Sequence, residues 1–309
     1  MEPRIASTSR DSQSRRRIHA LAGVLALLAA AGCHSDSTAP NPLSRVSDFI
    51  YVSDSGGASQ LYTWHDGVST LFPASVAGDI EPQSAAGKVV FTSYRISALN
   101  PEIYIANIGD SIAVRLTTQA GTDHQPSLSP DGATVVFSST RTGTSRIYTM
   151  GADGSGQAAF NTGTTGDIPE SAPRYSPSGD RILFSSPRTN TTQLWIIPSA
   201  GGNATQVTHE VNGAFFGSWS ADGKSVFYVD GVDRTRIHDV DIATGGVTDY
   251  VTGGTDVGDA ACTTALCLVV TNATAPNRDI LAYVGANDST PISLFSGAAS
   301  EYEPAILHK

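Results

Sequence analysis

The chain has 309 residues and a formal charge of −10, with 40% hydrophobic and only 16% charged residues. That length allows one large domain or two small ones. The acidity excludes a nucleic-acid binder, which needs a basic stripe to displace counterions, and the abundance of Gly, Ser and Thr favours short strands over long solvated helices.

Residues 1–32 form the first element. Arg15, Arg16 and Arg17 precede an apolar run from Ala20 to Ala31, followed by Gly32 and Cys33. A basic cluster, a short apolar core and small terminal residues make a secretory signal. The run is too short to span a bilayer. Its ending, Leu28-Ala29-Ala30-Ala31-Gly32-Cys33, resembles the lipobox of bacterial lipoproteins. The resemblance implies lipidation of the Cys33 thiol and cleavage before it; an ordinary secretory signal with a chance cysteine is the alternative. His34 follows the cysteine where inner-membrane retention would want Asp, which points to the outer membrane, facing periplasm or cell surface. Residues 33–47 are polar and Pro-containing and predict a flexible tether. Cleavage removes five arginines, Glu2 and Asp11 from 19 basic and 29 acidic residues, leaving a net charge of −13.

Residues 48–309 repeat. Pro126 to Arg141 matches Pro173 to Arg188 position by position, and further copies surround Gly217–Phe227, Pro82–Arg95 and, more degenerately, Asp259–Val270. One series of second-strand residues (Tyr51, Phe91, Phe137, Phe184, Phe227, Val270) has a spacing of 40–47 residues, and a third-strand series (Tyr62, Tyr104, Tyr148, Trp195, His238, Leu281) keeps step with it. Each unit holds four short β-branched or aromatic runs divided by turns such as Ser129-Pro130-Asp131-Gly132. Four-stranded units of this length are propeller blades, which bury their faces only by stacking around an axis. The first unit starts at Phe49 without a first strand of its own, and Glu301–Leu307 matches the missing one. The expected fold is therefore all-β: a six-bladed β-propeller of four-stranded antiparallel blades, closed by the C-terminal strand completing the first blade.

The motif Pro126…Ser129-Pro130-Asp131-Gly132…Phe137-Ser138-Ser139-x-Arg141, continued by Met150-Gly151-Ala152-Asp153-Gly154, resembles the Pro-Asp-type, WD40-like repeat of TolB-like propellers. The resemblance covers residues 48–309 and is strongest in units three and four. It implies architecture more than activity, because this propeller type hosts scaffolds, peptide binders, lyases and peptidase gates. The stretch between Cys33 and Phe49 leaves no room for the additional N-terminal domain of TolB, so that protein's envelope role is not implied.

For chemistry, the chain lacks Gly-x-Ser-x-Gly and His-Glu-x-x-His, and no phosphate loop appears. Residues at the starts of the innermost strands, Asp79, Glu81, Asp123, His124, Gln125, Glu170, Asp256, Glu301 and Glu303, are expected at the channel mouth. There they would form a negative funnel for cations or basic peptides, with Ca²⁺ as a possible ligand of such an oxygen ring; a solvated rim or strand caps are the alternatives. His124 beside Gln125 invites comparison with propeller lyases that hold Mn²⁺ by histidines and a glutamine, but His65, His209 and His238 share no repeat position. Arg95, Arg141 and Arg188 recur after the second strand and are expected to make the same structural bonds in each blade. Cys262 and Cys267 align with Ser129 and Thr134 across a hairpin, which predicts a disulfide in an oxidising compartment; two buried thiols are the alternative. The function expected is a non-enzymatic envelope lipoprotein whose propeller binds a protein or peptide, without nucleic acid. A carbohydrate-active lyase or hydrolase using the channel, and a structural lipoprotein without small ligand, are the alternatives.

Overall fold

A computed structural model describes residues 46, 48–251, 257–262, 266–271, 278–284, 292–295 and 298–308. Cys33, Asp256 and all of the tether except Val46, which is buried with Phe49 and Trp64, lie outside these residues. Every regular element among those described is a strand.

Blade 1 contains β1 (Phe49–Ser53), β2 (Gln60–His65) and β3 (Val68–Leu71); blade 2, β4 (Asp79–Ala85), β5 (Lys88–Ser93), β6 (Glu102–Asn107) and β7 (Val114–Arg115). Blade 3 contains β8 (Asp123–Leu128), β9 (Thr134–Ser139), β10 (Arg146–Gly151) and β11 (Ala158–Ala159); blade 4, β12 (Ser171–Tyr175), β13 (Arg181–Thr189), β14 (Thr191–Pro198) and β15 (Thr205–Gln206). Blade 5 contains β16 (Ala214–Trp219), β17 (Ser225–Asp230), β18 (Arg236–Asp241) and β19 (Val247–Val251); blade 6, β20 (Val257–Cys262), β21 (Leu266–Thr271), β22 (Asp279–Val284) and β23 (Ile292–Ser293). The last strand, β24 (Glu301–Ile306), crosses back to pair antiparallel with β1, Phe49 opposite Ile306 and Ile50 opposite Ala305. The sheet order β24-β1-β2-β3 completes the sixth four-stranded blade. The innermost strands touch in a closed cycle, β24 to β4, β8, β12, β16, β20 and back. The chain is therefore the six-bladed propeller its repeats predict.

Six apolar clusters hold the ring, one at each interface between neighbouring blades. The seam of blades 2 and 3, for example, buries Val90, Ile103, Phe137 and Tyr148 together. Each blade is apolar on both faces, so it gains this burial only through its neighbours. The Pro130-Asp131-Gly132 turn braces the seam of blades 2 and 3. Ser129 Oγ donates to Asp131 Oδ1 at 2.6 Å, and Asp131 accepts from the Ala133 N–H at 3.0 Å. Gly132 has φ +69°, and a Cβ there would sit 2.8 Å from Ala86 of the preceding blade. Turn chirality and interblade packing both demand glycine.

The register corrects the repeat alignment in two blades. Tyr51, Phe91, Phe137 and Phe184 lie opposite Tyr62, Tyr104, Tyr148 and Trp195 as expected. In blade 5 the partner of His238 is Tyr228, not Phe227, and in blade 6 Leu281 faces Val269, not Val270. The shift carries the cysteines with it. Cys262 and Cys267 form the disulfide, but they pair directly across β20 and β21, as Leu128 and Val135 do across β8 and β9. The bridge thus stands in the core position of the hairpin rather than beside the turn.

Candidate functional site at the propeller axis

The first strand of each blade carries a β-bulge next to the axis. Its bulged residue takes positive φ: Glu81, Gln125, Ala172, Phe216 and Glu303 lie between +51° and +57°. Such backbone is costly for non-glycine residues and persists only where neighbours fix it. Here the neighbouring blade does so. Glu303 Oε2 accepts from the backbone N–H of Glu81 at 2.7 Å, Glu81 Oε2 from that of Gln125 at 2.7 Å, and Gln125 Oε1 from that of Ala172 at 2.9 Å. Thr92 and Ser138 hydroxyls add to the same acceptors. The chain of side chains grips blades 1 to 4 in sequence and stops at Ala172, whose methyl group has no oxygen to offer blade 5.

The residue two places earlier in the strand does something different. Asp79, Asp123, Glu170 and Glu301 are buried between strands, not aimed at the axis. Asp79 pairs with Arg95 at 2.7 Å, Asp123 with Arg141 at 2.8 Å and Glu170 with Arg188 at 2.7 Å. Each guanidinium also lies over two aromatic rings of its own blade: Phe91 and Tyr104, Phe137 and Tyr148, Phe184 and Trp195. The expected structural role of the repeated arginines is realised, and these four acids do not contribute to the expected negative funnel. Burying a carboxylate requires a partner, so a repeat carrying both an acid and an arginine encodes an internal pair. Glu301 has the acid without the arginine, since Ser55 stands where Arg95 and Arg141 stand. Ser53 Oγ donates to it at 3.3 Å, and burial, with Asp279 and Asp54 adding to it, pushes its carboxyl up to about 7.

Of the nine predicted residues, Glu81, Gln125 and Glu303 line the upper chamber of the channel, a cavity of about 360 Å³. His124 lines neither chamber, and Asp256 is outside the described residues. The acids form no common oxygen cage for Ca²⁺: among the described residues no group of three or more His, Cys, Asp or Glu is placed to hold a metal. The histidines are dispersed. His65 bonds Asp48, His238 stacks on Tyr228 and bonds Asp249, and the backbone N–H of His308 donates to Ser84 Oγ at 3.0 Å.

The opposite wall of the upper chamber was not legible from the repeat. There Phe215 and Phe216 are 36% and 42% exposed, beside Arg234 and Arg278. Arg234 lies 5.6 Å over the Phe216 ring and Arg278 5.9 Å over Tyr302. The available signal was the departure of Phe215-Phe216-Gly217 from the Glu-Pro or Gln-Pro start of other blades. The mouth is therefore two-sided, acidic and hydrogen-bonded along blades 1 to 3, aromatic and basic along blades 5 and 6.

Comparison with known proteins agrees with this architecture. Residues 81–172, blades 2 and 3 and the start of blade 4, match the family model of the TolB beta propeller domain. TolB from Acinetobacter baumannii superposes with a TM-score of 0.71 at 20% identity, over 85% of this chain and 67% of that one. A chain of a nidogen/laminin complex gives 0.61 at 16% identity, over 84% and 97%. An oligogalacturonate lyase in complex with manganese gives 0.56 at 11% identity, over 81% and 74%. At these identities the likeness to solved structures is one of fold. Residues 81–172 thus carry the TolB beta propeller repeat, and the described strands as a whole form a six-bladed β-propeller closed by the last strand.

Proposed function

We propose that the protein is an exported scaffold, tethered through Cys33 to the bacterial envelope, whose upper mouth receives a protein or peptide segment. The observation that carries this reading is the exposed Phe215–Phe216 pair flanked by arginines, facing Glu81 and Glu303 across one chamber. Adjacent exposed aromatics with arginine are the composition of interaction hot spots, and charges of both signs on opposite walls fix the register of a bound segment. Export is supported by the basic and apolar run before Cys33 and by the disulfide, which fits an oxidising compartment.

The test is site-specific photocrosslinking in the native envelope. A crosslinker at Phe216 is expected to give a discrete adduct, absent when Phe215→Ser is combined with it and absent from a crosslinker at exposed Ile112 on the outer rim. Equal adducts from both positions would refute the mouth as the docking site. Radiolabelled palmitate entering the wild type and not Cys33→Ser checks the anchor. Release of unsaturated products from oligogalacturonate with Mn²⁺ would instead establish a channel lyase.

A further inference from the structure

Below the bulges the channel widens into a second chamber of about 510 Å³, reached from the other end of the propeller. Its lining differs in kind from that of the upper mouth. Among the described residues no Asp or Glu contributes to it, although the chain is strongly acidic overall. Leu128, Trp219, Ala260, Ala305 and Ile306 supply apolar wall from four blades. At the waist between the chambers stands Arg174, which lines both, with Gln83 and Gly217.

Arg174 is unlike the arginines of the repeat. Arg95, Arg141 and Arg188 are each locked onto a buried carboxylate. Among the described residues Arg174 pairs with no carboxylate, and its guanidinium bonds only the carbonyl of its own neighbour Pro173, from Nη1 at 3.1 Å. Its backbone is fixed: Trp219 Nε1 donates to the Arg174 carbonyl at 3.0 Å, and Arg174 lies in register with Leu183. The equivalent places in the other blades hold Gln83, Ser127, Ser218, Ala261 and Ala305, so blade 4 alone projects a cation at this level. The hydroxyl of Ser218 is buried and makes no hydrogen bond with the described protein groups.

We propose that the lower chamber is a binding site for a small organic carboxylate. The Arg174 guanidinium grips the carboxylate through its planar fork, Gln83 supplies a neutral donor, and the Trp219 wall covers an apolar body. A single cation with one neutral donor matches a monoanion, whereas a phosphate dianion calls for a richer donor set. The chamber has the size and the mostly apolar, sparsely polar lining of small-molecule sites. Arg174 and Gln83 also line the upper mouth, but Phe215, Phe216 and Glu303 line that mouth alone, and Leu128 and Trp219 the lower chamber alone.

The experiment titrates the folded propeller (residues 41–309) with hexanoate and follows the Trp219 indole N–H by NMR, the resonance being assigned with Trp219→Phe. Saturable movement is expected with a dissociation constant near ~1 mM, a value ordinary for a fragment of this size. Arg174→Gln, checked for an unchanged melting temperature, is expected to weaken binding at least tenfold, and Arg174→Lys less. Phe216→Ser is expected to leave it unchanged, which separates this site from the docking mouth. Hexanol binding as well as hexanoate would reduce the chamber to an apolar hole and overturn the proposal. Inorganic phosphate displacing hexanoate at equal concentration, or no saturable shift, would overturn it too.

Discussion

Blades 2 to 4 and blades 5, 6 and 1 are built from the same repeat but solve burial differently. In blades 2 to 4 every innermost strand starts with a buried acid held by an arginine that stacks on two rings. In blade 5 the acid is replaced by Ala214, in blade 6 by Val257, and in blade 1 Glu301 keeps the acid without the arginine. The side-chain grip from blade to blade breaks at the same frontier, between Ala172 and Phe216. The adjacent exposed pair Phe215 and Phe216 sits on the side that lost the repeat's internal bonds. Uniform blades build the ring, and departures from uniformity supply the surfaces with something to recognise.

Five changes test the division between the two halves of the ring. Deleting residues 301–309 removes β24 and leaves β1 as an open edge with its apolar cluster split. Thermal melting is expected to lose its cooperative transition or fall by tens of degrees, and an unaltered melt would disprove closure through blade 1. Next in size, Arg141→Met strands Asp123 in the interior. Urea unfolding should show a loss of about 3–5 kcal/mol, largely recovered by adding Asp123→Asn. The corresponding change in the irregular half, Ser55→Met, has no such ion pair to break and should cost far less.

Glu301 gives the third test. Its carboxyl is raised from the ordinary 4.5 to about 7 by burial. The neutral acid therefore stabilises the fold fully below its unfolded value, and that contribution is lost as pH rises through 7. Melting temperature should decline between pH 5 and 8, corresponding to at most about 3 kcal/mol, and Glu301→Gln should flatten the decline. A profile identical in wild type and variant would contradict an unpaired acid in blade 1. Fourth, replacing Cys262 and Cys267 by serine opens a short loop and should cost ~2 kcal/mol by chain entropy, read by urea unfolding under oxidising conditions. Smallest, Ala172→Gln extends the interblade grip toward the Phe216 N–H and should add about 1 kcal/mol. A destabilised variant would mean that the frontier at blade 5 is closed to such a bond.

Legibility in the sequence followed regularity. Third-strand residues from Tyr62 to Leu281 were placed without error because period and alternation both constrain them. Blades 5 and 6 slipped by one residue, at Tyr228 and Val269. In blade 5 the turn keeps its phase, with Trp219 opposite Val226 as Leu128 is opposite Val135, but Phe227 and Tyr228 are adjacent aromatics. In blade 6 an apolar run, Leu266 to Val270, offers no aromatic marker. The acids were found but misdirected. Asp79 and Glu81 are two apart, and pleating alone would place them on the same face. The bulge, with Glu81 at φ +54°, separates them, sending Asp79 to Arg95 and Glu81 toward the next blade.

The amino-acid sequence by itself determined the number of blades, the closure at Glu301–Ile306 and the hairpin that the cysteines span, because these depend on local turn chemistry and on a repeating apolar pattern. Only the tertiary structure decided which acids are internal partners and which meet the channel, and that Phe215, Phe216 and Arg174 face it. Those outcomes depend on a bulge and on contacts between residues from different blades, and distance along the chain carries no record of either.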